Sequence, residues 1–434
     1  MVKNMVLFMF VFSLRSSLAW AQAQDMSKGI SDEHSQFAFD RSSGRHDIPD
    51  TVFQDHFLSS DEISVYNSSL LMMIQNLLTR QEVLLEYFPS DTTLCVMAVT
   101  RESVEIFTSR ITSEFWSEVK MFLKMIRLAE TGDWNKRSKA LSSLLLGRVS
   151  MKFKGKTKAI IIAHNGLHGF PFEVLASPVL ASCSEVCKAQ YFIEDREIVY
   201  NSSLTQWLNL RIRSKIGGKI KTPVNGPAFA GFSPGFKYNE CIQDLDDAVT
   251  EISTIGQMFN EKGKVPLLMM NENSNEGNFK SIARTSHILH IATHTFSSDE
   301  NPEMNGLLFY EFVSQGITSD KNDGLLAVRE ICELHIPADL IVLNSCSSAN
   351  IRSRIGLNWF SCADCFIKAG ARNVISTLWN INDRFAEQFM VDFYRYFLSG
   401  MTYSKALQQV KVKMINEKST SLPFNWAAYV IMGE

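Results

Sequence analysis

No stretch of 18 consecutive apolar residues occurs anywhere in the 434-residue chain, so a membrane-spanning helix, which needs about 20, is not expected. No internal repeat of about 20–50 residues is found, which excludes a solenoid or propeller of stacked units. Neither sign of charge dominates: 43 Lys and Arg stand against 46 Asp and Glu, a formal net charge of -3, so nothing electrostatic calls for nucleic acid or an anionic membrane as partner. The basic stretch 211–221 has no interleaved aromatic residues on which bases could stack and reads as a solvated loop. Cysteine is sparse: the eight residues do not repeat in spacing and are too few for a disulfide-built scaffold. Cys362 and Cys365 form a C-x-x-C, but inside an apolar stretch that reads as helix, so both are expected to pack in the core. Cys183 and Cys187 could pair with each other or with nothing. The G-x-x-x-x-G-K-[ST] phosphate loop is missing.

What is present is an ordinary globular composition, 45% hydrophobic and 21% charged, enough for a substantial core. The length allows two or three average domains, or one large α/β domain with an extension. At the N-terminus Lys3, the apolar run 5–12 and Ala19-Trp20-Ala21-Gln22-Ala23 resemble a secretory signal peptide over residues 1–24, which points to a secreted or periplasmic protein. The alternative is the remnant of an amphipathic helix on a cytoplasmic protein. Residues 25–50 are polar and without period, and 63–84 carry Leu70, Leu71, Ile74, Leu77 and Leu78 at helical spacing, so 25–81 reads as a linker and one helix.

From residue 82 the pattern changes. The runs 93–99 and 104–108 flank Thr100-Arg101-Glu102-Ser103 as a hairpin would, and helical periodicity covers 115–128. Apolar strands at 159–163, 228–232, 288–293, 340–344 and 374–378 then alternate with helical patterns. One such helix, 244–259, carries apolar Leu245, Ala248, Val249, Ile252, Ile255 and Phe259, with Asp246, Asp247 and Glu251 assigned to its opposite face. Arg384 opens a second that ends before Gly400, and Ser404 opens a third. This alternation predicts an α/β fold with a mostly parallel sheet and helices on both faces.

Two of those strands end on reactive side chains. Ile288-Leu289-His290-Ile291-Ala292-Thr293-His294 stops at an imidazole, and Asp339-Leu340-Ile341-Val342-Leu343-Asn344-Ser345-Cys346 stops at a thiol. Side chains beyond the carboxyl ends of neighbouring parallel strands converge on one crevice. A free thiol with pKa near 8.5 is mostly protonated at neutral pH, and a nearby imidazole can take that proton and later return one to a leaving amine. Backbone N–H groups of Cys346 and Thr295 are the natural donors to a tetrahedral oxyanion. The separation of 52 residues (346 minus 294) is close to the roughly 50 that caspases use. His287, His290 and His294 mimic a metal spacing, but on a strand only the last two share a face and no carboxylate joins them in the sequence, so a metal site is not expected. His164 and His168 flank a turn-like stretch and are discounted likewise.

The wider pattern resembles the CHAT family of caspase-related and separase-related peptidase domains of clan CD. The matching segments are Val83-Leu84-Leu85-Glu86-Tyr87-Phe88, Gly166-Leu167-His168-Gly169-Phe170-Pro171-Phe172-Glu173-Val174-Leu175, 245–252, His290-Ile291-Ala292-Thr293-His294 and Asp323-Gly324-Leu325-Leu326. They continue with Leu343-Asn344-Ser345-Cys346, Ala369-Gly370-Ala371-Arg372-Asn373-Val374-Ile375-Ser376-Thr377-Leu378-Trp379 and Trp426-Ala427-Ala428-Tyr429-Val430-Ile431-Met432-Gly433. The resemblance implies a caspase-like domain over 82–434 with His294 and Cys346 as its catalytic dyad. Family members often place Gly after the histidine, where Thr295 stands, and Cys-Glu-Thr-Gly where Cys346-Ser347-Ser348-Ala349 stands, a run closer to separases.

The resulting expectation is a cysteine endopeptidase acting on one or a few protein partners without metal or organic cofactor. The alternatives are a catalytically silent interaction module and a zymogen gated by a partner. Asp383 could receive a basic substrate side chain, by the separase-like resemblance, or cap the helix that follows it. Trp379 could line the cleft or pack in the core.

Overall fold

The computed structural model describes residues 60–130, 132–178, 191–216, 226–236, 242, 244–298, 300–310, 322–345, 362–381 and 383–434. The signal-like segment 1–24, the linker 25–50, Cys183, Cys187 and Cys346 lie outside the described residues. The chain forms two compact units, Met1–Leu77 and Leu78–Glu434. In the first, the described part is helix α1 (Ser60–Leu77). The periodicity suggests one helix as far as residue 84, yet Val83 and Leu84 belong instead to a strand of the second unit. β-Branched and aromatic residues with partners on both sides favour the pleated state.

That second unit is organised, among the described residues, on an eleven-stranded sheet. Its strands are β1 (Glu82–Pro89), β2 (Thr93–Val99), β3 (Val104–Arg110), β4 (Lys158–Ala163), β5 (Glu197–Asn201), β6 (Ala230–Ser233), β7 (Leu267–Met270) and β8 (Ile288–Ala292). A small sheet of β9 (Thr295–Phe296), β10 (Gly306–Leu308) and β11 (Leu325–Ala327) intervenes before β12 (Leu340–Asn344), β13 (Val374–Thr377) and β14 (Tyr429–Met432). The order is β3-β2-β1-β4-β5-β14-β13-β12-β8-β6-β7, and of its ten neighbouring pairs seven are parallel and three antiparallel. The sheet is therefore mostly parallel, as the alternation predicts.

Because β13 and β14 pair antiparallel, a parallel block β7-β6-β8-β12-β13 adjoins an oppositely directed parallel block β14-β5-β4-β1, which the antiparallel β2 and β3 extend. The carboxyl ends of β6, β8, β12 and β13 consequently share one rim. Every residue of β8 and β13 is buried, the polar His290, Ser376 and Thr377 along with their apolar neighbours. Alternate residues of β12 feed two hydrophobic clusters: Leu340 and Val342 join one, Ile341 and Leu343 the other.

Helices cover both faces: α2 (Ser113–Arg127), α3 (Leu204–Ile216), α4 (Asp246–Glu261), α5 (Val328–Glu333), α6 (Cys362–Ala369), α7 (Asp383–Leu398) and α8 (Tyr403–Asn416). The N-cap of α8 is Thr402, whose hydroxyl accepts from the Lys405 amide, two residues ahead of the expected Ser404. The supposed loop at 211–216 is the end of α3, and its Arg211 guanidinium pairs with buried Glu82 on β1. A carboxylate on the sheet, not solvent, accounts for this arginine.

Cysteine usage also differs from expectation. Cys365 is not a core thiol: it is bonded to Cys332, a bridge over 33 residues that joins α5 to α6. Closing a loop of that length restricts the unfolded chain, so Cys332→Ser is expected to cost about 2–4 kcal/mol. Urea unfolding of wild type and variant, with and without reductant, checks it: reductant should lower the wild-type midpoint and leave the variant unmoved. Cys362 and Cys95 are buried free thiols, with burial pushing them up to about 12 and about 11 respectively; Glu86 adds to the effect at Cys95. Both stay protonated and unreactive at neutral pH.

Candidate active site

The site begins with strand pairing. β8 and β12 lie side by side and parallel, with Leu340 opposite Ile288, Val342 opposite His290 and Asn344 opposite Ala292. His294 comes two residues after Ala292, and Cys346 two after Asn344. The described part of the second strand end stops at Ser345, which is buried and whose carbonyl accepts a hydrogen bond from the Thr377 hydroxyl on β13. Cys346, one bond further on, is outside the described residues.

His294 is half-buried, its ring beside that of Phe236 with centroids 5.4 Å apart. Two backbone ties fix its height. Its carbonyl accepts from the Leu308 amide at 2.9 Å, and the hydroxyl of the preceding Thr293 donates to the Leu308 carbonyl at 2.5 Å. Thr295 opens β9 and stands opposite Leu307 of β10. The small sheet thus acts as a brace for the histidine.

That brace depends on a close approach at Gly306. A Cβ there would lie 2.2 Å from the Leu326 carbonyl oxygen of β11, a backbone contact that cannot swing away. Gly306→Ala is expected to push β10 off β11, at a cost of about 1–3 kcal/mol, and to disturb the loop that carries His294. A denaturant melt alongside the His294 ring resonances checks this. An unchanged ring environment would show that the histidine does not depend on the brace.

Beneath the rim lies a buried polar cluster. Glu251 of α4 is 2% exposed, although the sequence pattern suggested the solvent face. Position 251 is three after Ala248 and four before Ile255, so helical geometry places it on the apolar stripe. Its two carboxylate oxygens accept from the Asn344 side-chain amide at 2.9 and 2.7 Å. The Asn344 amide oxygen accepts from the Tyr429 hydroxyl at 2.6 Å. His290, fully buried, places Nε2 2.7 Å from Glu251 Oε1, off the line of an ideal hydrogen bond, and Nδ1 3.1 Å from the Tyr394 hydroxyl. Burial, reinforced by the Glu251 charge, holds the Tyr394 hydroxyl well above the usual phenol range. Glu387 on the same helix as Tyr394 is raised by burial and then by Glu251 and Asp247.

The remaining sequence candidates fall in different places. Trp379 is buried in the main core, its indole N–H donating to the Phe424 carbonyl at 3.0 Å, so of its two possible positions it occupies the packed one. Asp383 is the first residue of α7 rather than the cap residue before it, and comes six residues after the end of β13. His287 faces Asp339 at 3.4 Å and His290 faces Glu251, while the His164 ring meets the Glu86 carboxylate at 2.9 Å. Among the described residues no group of three or more His, Cys, Asp or Glu could hold a metal ion.

Comparison with known proteins gives a consistent picture. The CHAT domain pattern matches residues 135–434. Tetratricopeptide repeat protein 28 of Homo sapiens is 29% identical over 110 residues, and that of Mus musculus 30% over 110, in each case 25% of this chain and 4% of the relative. The chain therefore aligns with only a small fraction of these proteins' length. Among solved structures, the Saccharomyces cerevisiae separase–securin complex matches in two crystal structures, with TM-scores of 0.51 and 0.52 at 11% identity. These matches cover 89% and 87% of this chain and 32% of the other, and they establish a shared fold.

Proposed function

Since this chain belongs to the CHAT domain family, we propose that it is a cysteine endopeptidase that cuts one or a few protein partners, with Cys346 as nucleophile and His294 as general base. The observation that carries this reading is the register of β8 and β12. Their last paired residues, Ala292 and Asn344, are each two residues short of the imidazole and the thiol, so the two reactive groups are counted off from the same level of neighbouring parallel strands. The peptidase domain in this proposal spans 82–434.

In the proposed reaction the His294 imidazole takes the thiol proton, and the Cys346 sulfur attacks the scissile carbonyl. The carbonyl π pair moves onto oxygen, where backbone N–H groups of Thr295 and Cys346 would meet it. Collapse of the intermediate breaks the C–N bond, and the imidazolium gives its proton to the departing amine. Water, deprotonated by the same imidazole, then cleaves the thioester and frees the thiol. The two side chains carry every proton and covalent transfer, with the backbone N–H groups holding the oxyanion and water as the second nucleophile.

The second reading, a silent interaction module, draws on Thr295, which stands in a strand opposite Leu307 where family members often place Gly. Mapping new protein N-termini with wild type and with Cys346→Ser, in extracts of the native host, separates the two. Cleavages made by wild type and lost in the variant support the peptidase; identical maps support the module. Lys or Arg before the scissile bond would assign Asp383 to the substrate pocket, and its absence leaves that residue as an acidic group in the first turn of α7.

A further inference from the structure

Burying a carboxylate costs several kcal/mol unless its partners are well placed, and position 251 lies on a helix stripe otherwise filled by Ile252, Ile255 and Phe259. An apolar residue there would pack without that cost. The question is what Glu251 does that a leucine could not. Its contacts answer in part: the carboxylate reaches Asn344 on β12 and His290 on β8, one pleat and two pleats before positions 346 and 294 respectively. Side chains two apart on a strand share a face, and residues paired across parallel strands do so too. The bridge therefore joins the two strands at the last paired residue of β12 and two residues before the last paired residue of β8. Tyr429 of β14 orients the Asn344 amide from one flank, and Tyr394 of α7 holds His290 from the other.

We infer that Glu251 is a positioning residue of the site: by clamping Asn344 and His290 together it fixes the separation and height of the two strand ends that deliver Cys346 and His294. This inference rests on the peptidase reading for its consequence, but not for its geometry. Removing the clamp should slow any reaction that requires the two ends to meet, without touching either reactive group.

Geometry can be tested apart from catalysis. In His294→Cys, a disulfide between the introduced thiol and native Cys346 forms under mild oxidation only if the two positions approach within bonding reach. The rate of that cross-link, relative to re-formation of the native Cys332–Cys365 bridge in the same sample, reads local positioning rather than overall stability. Adding E251Q is expected to slow it at least tenfold relative to the control bridge. Adding N344D as well reverses the donor and acceptor roles across the same hydrogen bond and is expected to restore most of the rate. Should E251Q unfold the protein, Tyr429→Phe removes only the hydroxyl that orients Asn344 and should slow the cross-link about threefold. Equal relative rates with and without Glu251, or slowing that N344D does not rescue, would overturn the positioning role while leaving the peptidase reading intact. A cross-link that never forms even with Glu251 present would overturn both. Glu251-dependent cross-linking in a protein whose wild type cleaves nothing would uphold the positioning role and sink only the peptidase.

Discussion

Cys346→Ala is expected to abolish cleavage of a cognate substrate, because the atom that forms the thioester is gone and no described residue stands ready to replace it. His294→Ala should retain the nucleophile but lower turnover by about 10²–10⁴-fold, the range a positioned general acid-base supplies. The double variant should be no slower than Cys346→Ala, since the two groups act as one unit and their losses do not add. Peptide hydrolysis by the three variants, with near-ultraviolet circular dichroism as the check on folding, decides the matter. The buried thiols Cys362 and Cys95, raised to about 12 and about 11 by burial, should not stand in for the nucleophile. Residual activity in Cys346→Ala equal to that of wild type would remove the chemistry proposed for this fold.

The second large effect concerns stability. Lys411 on α8 is fully buried and its ammonium donates to Glu173 Oε1 at 3.1 Å, while the Tyr200 hydroxyl donates to the other carboxylate oxygen. Burial holds the Lys411 ammonium below the usual lysine range, with the Glu173 charge opposing that shift. Lys411→Ala leaves a carboxylate 1% exposed without its cation and opens a cavity beside it, so a loss of about 3–5 kcal/mol is expected. Replacing both partners, Lys411→Met with Glu173→Leu, removes the stranded charge and should recover most of that loss. Denaturant midpoints for the single and double variants test this by a thermodynamic cycle. A single variant within about 1 kcal/mol of wild type would show that water or another group compensates Glu173.

How much of this was legible in the sequence depends on where each element gets its energy. β8 and β12 are buried on both faces, so apart from His290 and the terminal Asn344 their residues are apolar, and the polar residues beyond them mark where the chain leaves the sheet. β7 is four residues of Leu and Met, types that favour helix, and becomes a strand only through its pairing with β6. β9 to β11 have two or three residues each and carry too little pattern to register as strands. The Cys332–Cys365 bond could not be read from spacing, because connectivity is set in space.

At the site the strand ends and their two reactive residues were legible, since the apolar runs point at them. Glu251 was missed because a charged side chain was assigned to solvent by type, when its spacing from Ala248 and Ile255 put it on the buried stripe. Arg211 was misjudged for the opposite reason: its neighbours are basic, and the carboxylate that holds it, Glu82, lies 129 residues away. Glu173 stands inside a motif that the sequence displays plainly, but its partner Lys411 comes 238 residues later. Long-range partners of this sort leave no local trace.

The central claim is that the His294 imidazole and the Cys346 thiol act on each other. The most direct test is the pH dependence of iodoacetamide alkylation at Cys346, followed by peptide mass spectrometry in wild type and His294→Asn. A paired thiol should reach its plateau rate well below the pKa of about 8.5 of a free cysteine, and the substitution should return the profile to about that value. Identical profiles in the two proteins, both titrating near a free thiol, would contradict the dyad.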